Sequence, residues 1–189
     1  MNTEILIERE TAVNGSLRLF SVYADFPASA RAKWATSMIT KLAGKRWKSS
    51  IEMWTVNFLG ASGTIGKMIL EGGADADVLI IAMSSLAQRE PELMQWLDTL
   101  AAGKNNRPVP GLLIGLLGDE NGRAGELDWT VKQFLRCAWQ MDRDFIWHWM
   151  EPGVMNRNDW LAGSVEALLT RKQPVHDMTF LQESVIGDF

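Results

Sequence analysis

The strongest constraint in this sequence is an alternation. Short, nearly uninterrupted apolar runs take turns with stretches of helical periodicity. The runs are Leu17 to Tyr23, Ile51 to Phe58, Val78 to Met83, Leu112 to Leu117 and Phe145 to Met150. Continuous rather than alternating apolar runs suit strands buried on both faces, which is the condition of a parallel sheet. The run Ile51 to Phe58 contains Glu52, Thr55 and Asn57, and its mixed character places it at a sheet edge.

Five helical patterns separate and follow the runs. Trp34, Met38, Ile39 and Leu42 share a face, with Pro27 near the start and Gly44 just past the end. Ile65, Met68 and Ile69 predict a shorter helix that stops before Gly72-Gly73. Leu93, Trp96, Leu97, Leu100 and Ala101 form a stripe bounded by Pro91 and Gly103. Val131, Phe134, Leu135 and Ala138 form another, and Leu161, Val165, Leu168 and Leu169 a last one, with Asn158 or Asp159 as its cap. The order is β-α-β-α-β-α-β-α-β-α. Parallel strands require crossover connections, and right-handed crossovers cover both faces with helices. The expected fold is a three-layer αβα domain around a five-stranded, doubly wound parallel sheet of order 2-1-3-4-5.

The 189 residues are read as one domain. Its core covers about residues 16–170, preceded by an extension over 1–15 and followed by an apolar tail over 174–189. The extension contains Ile5-Leu6-Ile7, suited to an extra edge strand. The tail contains Phe180, Leu181, Val185, Ile186 and Phe189, suited to packing on its own domain or on a second subunit.

Charge and cysteine content narrow the function classes. The formal net charge is -4, which argues against a nucleic-acid surface. Lys41, Lys45, Arg46 and Lys48 read as a solvated helix end, where cations are favoured. The single cysteine, Cys137, excludes an intramolecular disulfide and a cysteine-based metal site; it reads as a small core residue. Met1 to Glu10 lacks a signal-peptide core, and no apolar run reaches membrane-spanning length. The expected location is the cytoplasm, with no membrane or nucleic-acid partner. Nine Trp and ten Met against one Tyr form a bias with no physical account beyond core volume.

The strand and helix order resembles the flavodoxin-like group, which includes response-regulator receivers, over residues 16–170. That resemblance implies a ligand crevice at the carboxyl ends of the strands, where strand order reverses. The residues it brings forward are Asp25, Ser84, Ser85, Asp119 and Glu151. It also implies tests. Receivers hold Mg²⁺ with acids after the first strand, phosphorylate an Asp ending the third and carry a Lys after the fifth. Here Asp25 fits one acid position, but the third strand ends Ile81-Ala82-Met83-Ser84 and the fifth Trp149-Met150-Glu151. Aspartyl phosphorylation is therefore not expected. Flavodoxins cradle the phosphate of flavin mononucleotide in a Gly- and Ser/Thr-rich loop after the first strand. Here that loop reads Asp25-Phe26-Pro27-Ala28-Ser29-Ala30, with no Gly and with a Pro that lacks an N–H. No cofactor is expected.

One local pattern points elsewhere. Gly60-Ala61-Ser62-Gly63-Thr64-Ile65-Gly66 resembles the G-x-x-G-x-x-G loop of NAD(P)-binding reductases and epimerases, in which glycines admit a pyrophosphate to a helix N-terminus. It follows the second strand instead of the first, and no acid or base ends the next strand. A turn at the sheet edge is the competing reading.

Other residues carry less. His148, between Trp147 and Trp149 on a strand, faces the side opposite to both and reads as a buried histidine. Asp142 and Asp144 flank Arg143 in a predicted turn and read as solvated. Ser84-Ser85 lacks a nucleophile elbow. No catalytic set and no metal site emerge.

Three function classes follow. The favoured one is a non-catalytic, receiver-like signalling or interaction domain that engages a protein partner or a second copy. The second is an NAD(P)- or nucleotide-binding enzyme using Gly60, Gly63 and Gly66. The third is a small-molecule site at Asp25, Ser84 and Asp119.

Overall fold

The structure is a computed structural model and describes residues 15–84, 91–103, 109–118, 124–149 and 159–173. The strands are β1 (Gly15–Tyr23), β2 (Trp47–Thr55), β3 (Val78–Met83), β4 (Gly111–Leu117) and β5 (Arg143–Trp149). The helices are α1 (Phe26–Ala43), α2 (Gly63–Asp75), α3 (Pro91–Ala102), α4 (Ala124–Gln140) and α5 (Asp159–Lys172). All strand pairs are parallel, and the sheet order is β2-β1-β3-β4-β5. The fold expected from the alternation is the fold observed.

Two apolar layers sandwich the sheet. On one face Phe20, Val22, Leu79, Ile81, Leu113 and Leu117 meet α2, α3 and α4 through Ile69, Trp96, Leu97, Phe134 and Cys137. On the other, Leu19, Val78, Ile80, Leu112 and Ile114 meet α1 and α5 through Ala32, Ala35, Ile39, Val165 and Leu168. Every residue of β3 and β4 is buried. That burial on both faces is why these strands appear in the sequence as unbroken apolar runs. Cys137 is fully buried and its thiol pKa is pushed up, first by that burial and then by Asp98, against the opposing effect of Arg136.

Three expectations need correction. Strand β2 begins four residues before the predicted Ile51 and ends at Thr55, after which Val56–Phe58 form a 3₁₀ turn. As an edge strand it buries little, so its polar start Lys48-Ser49-Ser50 is tolerated. Gly15 makes room for Trp47 beside it, since a Cβ there would lie 3.0 Å from the indole. Lys48 accordingly stands on a strand rather than at a helix end.

Helix α2 does not stop before Gly72-Gly73 but runs through both, and Ile65 and Met68 are exposed. The pair permits close approach to neighbours. A Cβ on Gly72 would lie 2.6 Å from the Phe20 ring, and one on Gly73 2.5 Å from the Trp96 ring.

Arg143 does not lie in the predicted turn. It opens β5 and is buried, with Nη1 donating to the Ala76 carbonyl at 2.8 Å and Nη2 to the Gly73 carbonyl at 3.0 Å. The guanidinium thus satisfies the free carbonyls at the end of α2, where a cation is also favoured by the helix dipole. Asp142 and Asp144 are both exposed as expected; Asp142 has the φ of 50° of a turn, whereas Asp144 is a strand residue paired with Arg171.

The amino ends of the strands are pinned by a second polar group. Asp77 accepts the Arg18 backbone N–H at 2.8 Å and pairs with Lys172 at 2.6 Å. Lys172 also donates to the Ser16 carbonyl and lies over the Trp47 ring. This ties the end of α5 to the start of the sheet.

The two kinds of helical glycine give opposite expectations. Gly73→Ala should lower stability by about 1–3 kcal/mol, because overpacking against Trp96 outweighs the gain in helix propensity. Gly163→Ala, in α5 with nothing within 4 Å of the added Cβ, should raise it by about 0.5–1 kcal/mol. Urea unfolding of the two variants checks both signs.

Candidate functional site

The carboxyl ends of β1, β3 and β4 meet where the strand order reverses, and the described residues there make a polar cluster. Helix α1 starts directly after β1. Its N-cap is Asp25, in an extended conformation, and its first turn contains Pro27. The Asp25 side chain accepts the Ala28 N–H at 2.8 Å, and the Asp25 carbonyl accepts the Ser29 N–H at 2.9 Å. This is the usual role of aspartate at an N-cap, and the carboxylate also suits the positive end of the helix dipole. The same carboxylate oxygen accepts the Ser84 hydroxyl, from the end of β3, at 2.7 Å. Two of the predicted residues, Asp25 and Ser84, are therefore brought together. Ser85, Asp119 and Glu151 lie outside the described residues.

The sequence reading missed a third member. Arg31 occupies the buried stripe of α1 with Ala28, Ala32 and Ala35. Its Nη1 donates to the Met83 carbonyl at 3.0 Å and lies 3.3 Å from the Ser84 hydroxyl. Gly118, just after β4, lies against this guanidinium: a Cβ there would sit 2.6 Å from Arg31 Cζ and both terminal nitrogens. The signal was present, since an arginine three residues from one alanine and next to another on the core stripe of a helix calls for a buried partner. The result is a chain of contacts from the α1 N-terminus through Ser84 to a buried cation beneath the crevice.

The glycine loop forms a separate site. Gly63 opens α2 with φ of 74°, a left-handed conformation that disfavours any side chain. Gly66 is forced by close approach, because its Cβ would lie 1.9 Å from the Ala61 carbonyl oxygen. The turn geometry alone accounts for both glycines. Gly60, Gly63, Gly66, Lys67, Glu92 and Trp96 line a cleft of about 460 Å³ between α2 and α3, and the N-cap Ser62 makes no side-chain cap.

His148 does face away from Trp147 and Trp149, as alternation requires. It is half-buried and stacks on Trp160 of α5, with ring centroids 4.7 Å apart and planes 7° apart. Trp160 in turn stacks on Trp34 of α1 at 6.3 Å. Burial pushes the His148 pKa below its ordinary value. Among the described residues no group of three His, Cys, Asp or Glu side chains is placed to hold a metal ion, and no helix is long and apolar enough to cross a membrane.

No protein-family profile and no curated protein matches this sequence. Solved structures do match in fold. A short-chain flavodoxin associated with a non-canonical PDU bacterial microcompartment superposes with a TM-score of 0.54 at 14% identity, covering 83% of this chain and 99% of that one. An oxidoreductase from Corynebacterium diphtheriae gives 0.54 at 15% identity, covering 82% and 96%. A flavodoxin, WrbA-like protein from Agrobacterium tumefaciens gives 0.52 at 10% identity, covering 82% and 99%. The fold is flavodoxin-like.

That fold raises flavin mononucleotide as an occupant of the strand ends. The residues after β1 do not fit its phosphate. Pro27 offers no N–H, and the Ala28 and Ser29 amides are held by Asp25 itself. A phosphate on this helix end would also meet the Asp25 carboxylate, a like charge at contact distance.

Two outcomes follow from this geometry. Asp25→Ala should cost about 0.5–2 kcal/mol through loss of the cap, and Asp25→Asn should retain most of the stability; chemical denaturation compares them. For His148, burial disfavours the protonated imidazole in the native state, so the unfolded chain binds the proton more readily. Its contribution is complete above the unfolded value of about 6.5 and declines as pH falls through it. Thermal melts between neutral and mildly acidic pH should show less loss for His148→Phe than for the parent protein.

Proposed function

We propose that this chain is a non-catalytic, receiver-like interaction domain of the cytoplasm, acting through its outer surface on a protein partner. The observation that carries this reading is the engagement of the described strand-end polar groups with one another. Asp25 caps α1 and takes up Ser84, and Arg31 lies beneath them. The groups a flavodoxin-like fold would offer to a phosphate are engaged with one another.

The surface supports the same reading. On α4, Leu135 and Trp139 are 53% and 81% exposed and lie one helical turn apart. Phe26, at the start of α1, is 85% exposed. Large apolar side chains displayed in this way are the residues that anchor protein interfaces.

The test is a flavin-fluorescence titration beside incubation with acetyl phosphate and Mg²⁺, read by intact mass. The expected result is undiminished flavin fluorescence and no added phosphoryl group. Stoichiometric flavin binding, or a phosphoryl adduct, would overturn the reading. Binding of NAD(H) or ATP that is abolished by Gly63→Trp would replace it with a nucleotide site on the α2 loop.

A further inference from the structure

The outer edge of the sheet offers a second surface, distinct from α4 and from the strand ends. Strand β2 is nine residues long and pairs with β1 on one side. No other strand among the described residues pairs with its free side. At about 3.3 Å per residue this is a row of backbone donors and acceptors about 30 Å long. It contains neither Pro nor Gly, which interrupt a ladder or mark a bulge; its charged residues are Lys48 near the start and Glu52.

On the α1 face of this edge lies an open groove of about 420 Å³. Its floor is Ile51, 49% exposed, and the half-buried Met53; its wall is α1, with Ser37 between Lys33 and Lys41. The charge around it has one sign. Helix α1 contains no Asp or Glu, Lys33 and Lys41 are exposed, and Lys45 and Arg46 follow on the surface before β2. Glu52 alternates to the opposite face, where it lines a different hollow with Arg18 and Glu71. A basic, apolar-floored groove beside a strand edge unpaired among the described residues thus stands out on a chain whose net charge is -4.

We propose that this edge is a docking site for an extended acidic peptide segment of a partner protein, which adds to the sheet as a strand alongside β2. The chemistry of each part selects that partner. Backbone hydrogen bonds along β2 recognise an extended chain, and alternate apolar side chains fit over Ile51 and Met53. Carboxylates flanking those apolar positions on the same face pair with Lys33 and Lys41. A second copy is disfavoured, because an antiparallel β2–β2 pair would place both α1 helices on one face and set like-charged lysine rims against each other. Nucleic acid is disfavoured by the apolar floor and by backbone groups that match a peptide better than phosphates.

This inference rests on the interaction-domain reading and fails separately from it, since flavin binding would overturn that reading whereas the following assay addresses the β2 edge alone. The probe is a dye-labelled nine-residue peptide whose α1-facing positions are Glu at both ends and Val between, with Thr at the alternate positions, compared by fluorescence anisotropy with the counterpart that has Lys in place of Glu, against the full chain. The expected result is binding of the acidic peptide at least tenfold tighter than the basic one. Lys33→Glu/Lys41→Glu and, separately, Ile51→Asp should each weaken it at least tenfold, and hydrogen exchange should show new protection in β2. Equal affinity for the two peptides, or indifference to these surface changes, would overturn the proposal. So would a concentration-dependent dimer lost in Ile51→Asp, or oligonucleotide binding lost in the lysine variant while the peptide stays free. A full chain that binds the peptide only when it carries Ile5→Asp/Ile7→Asp would assign the groove to its own N-terminal segment and equally overturn it.

Discussion

Everything in this molecule depends on covering both faces of two central strands. All residues of β3 and β4 are buried, so the sheet cannot persist without an apolar layer on each side. Right-handed crossovers supply those layers. Helix α1 moves the chain from β1 outward to β2, and α2, α3 and α4 move it the other way across β3, β4 and β5, which puts the two sets on opposite faces. Helix α5 then returns beside α1, where Leu161, Val165, Leu168 and Leu169 complete the second layer. The buried Arg143 and the Asp77–Lys172 pair are consequences of the same arrangement. They satisfy polar groups trapped where helices and strands meet at the amino edge.

The central part of this design could be read in the residues. The run Val78 to Met83 matches β3 residue for residue, and the α5 stripe names that helix's buried positions without error. These segments are legible because burial on all sides leaves one class of side chain. Legibility fell where burial did. Strand β2 was misplaced because an edge strand exposed to water accepts Lys48, Ser49 and Ser50 as readily as a loop does. Gly72 and Gly73 read as a helix stop because glycine usually disfavours helix interiors. Their actual reason, contact with Phe20 and Trp96 from distant parts of the chain, is invisible to local pattern. Leu135 fitted a stripe but faces outward, which periodicity cannot decide without the neighbouring helix.

The candidate site shows the same division. Asp25 and Ser84 were found from topology, because strand ends converge wherever the order reverses. Arg31 was not, since its partners Met83 and Ser84 lie at the end of β3 and its close neighbour Gly118 just after β4. What the three residues form is better described as an internal lock than as an open receptor. The capping carboxylate has three roles at once: it satisfies the first turn of α1, it orients Ser84, and it presents negative charge where the flavodoxin resemblance implies phosphate binding. A fold can keep its architecture while these polar groups bind one another, because the sheet and its two layers do not depend on the loops above them. Among the described residues, exposed apolar and basic side chains lie on α4 and beside β2, and at Phe26 near the strand ends.

The most direct measurement of this account is the exchange rate of the Ala28 backbone amide in the full chain, by nuclear magnetic resonance, with and without saturating inorganic phosphate. A helix end closed by Asp25 predicts a protected Ala28 amide in the absence of any added ligand, with neither its exchange nor its chemical shift altered by phosphate. An amide that exchanges freely and becomes protected or shifted when phosphate is added would show that the α1 N-terminus is an open anion site, and would contradict the account.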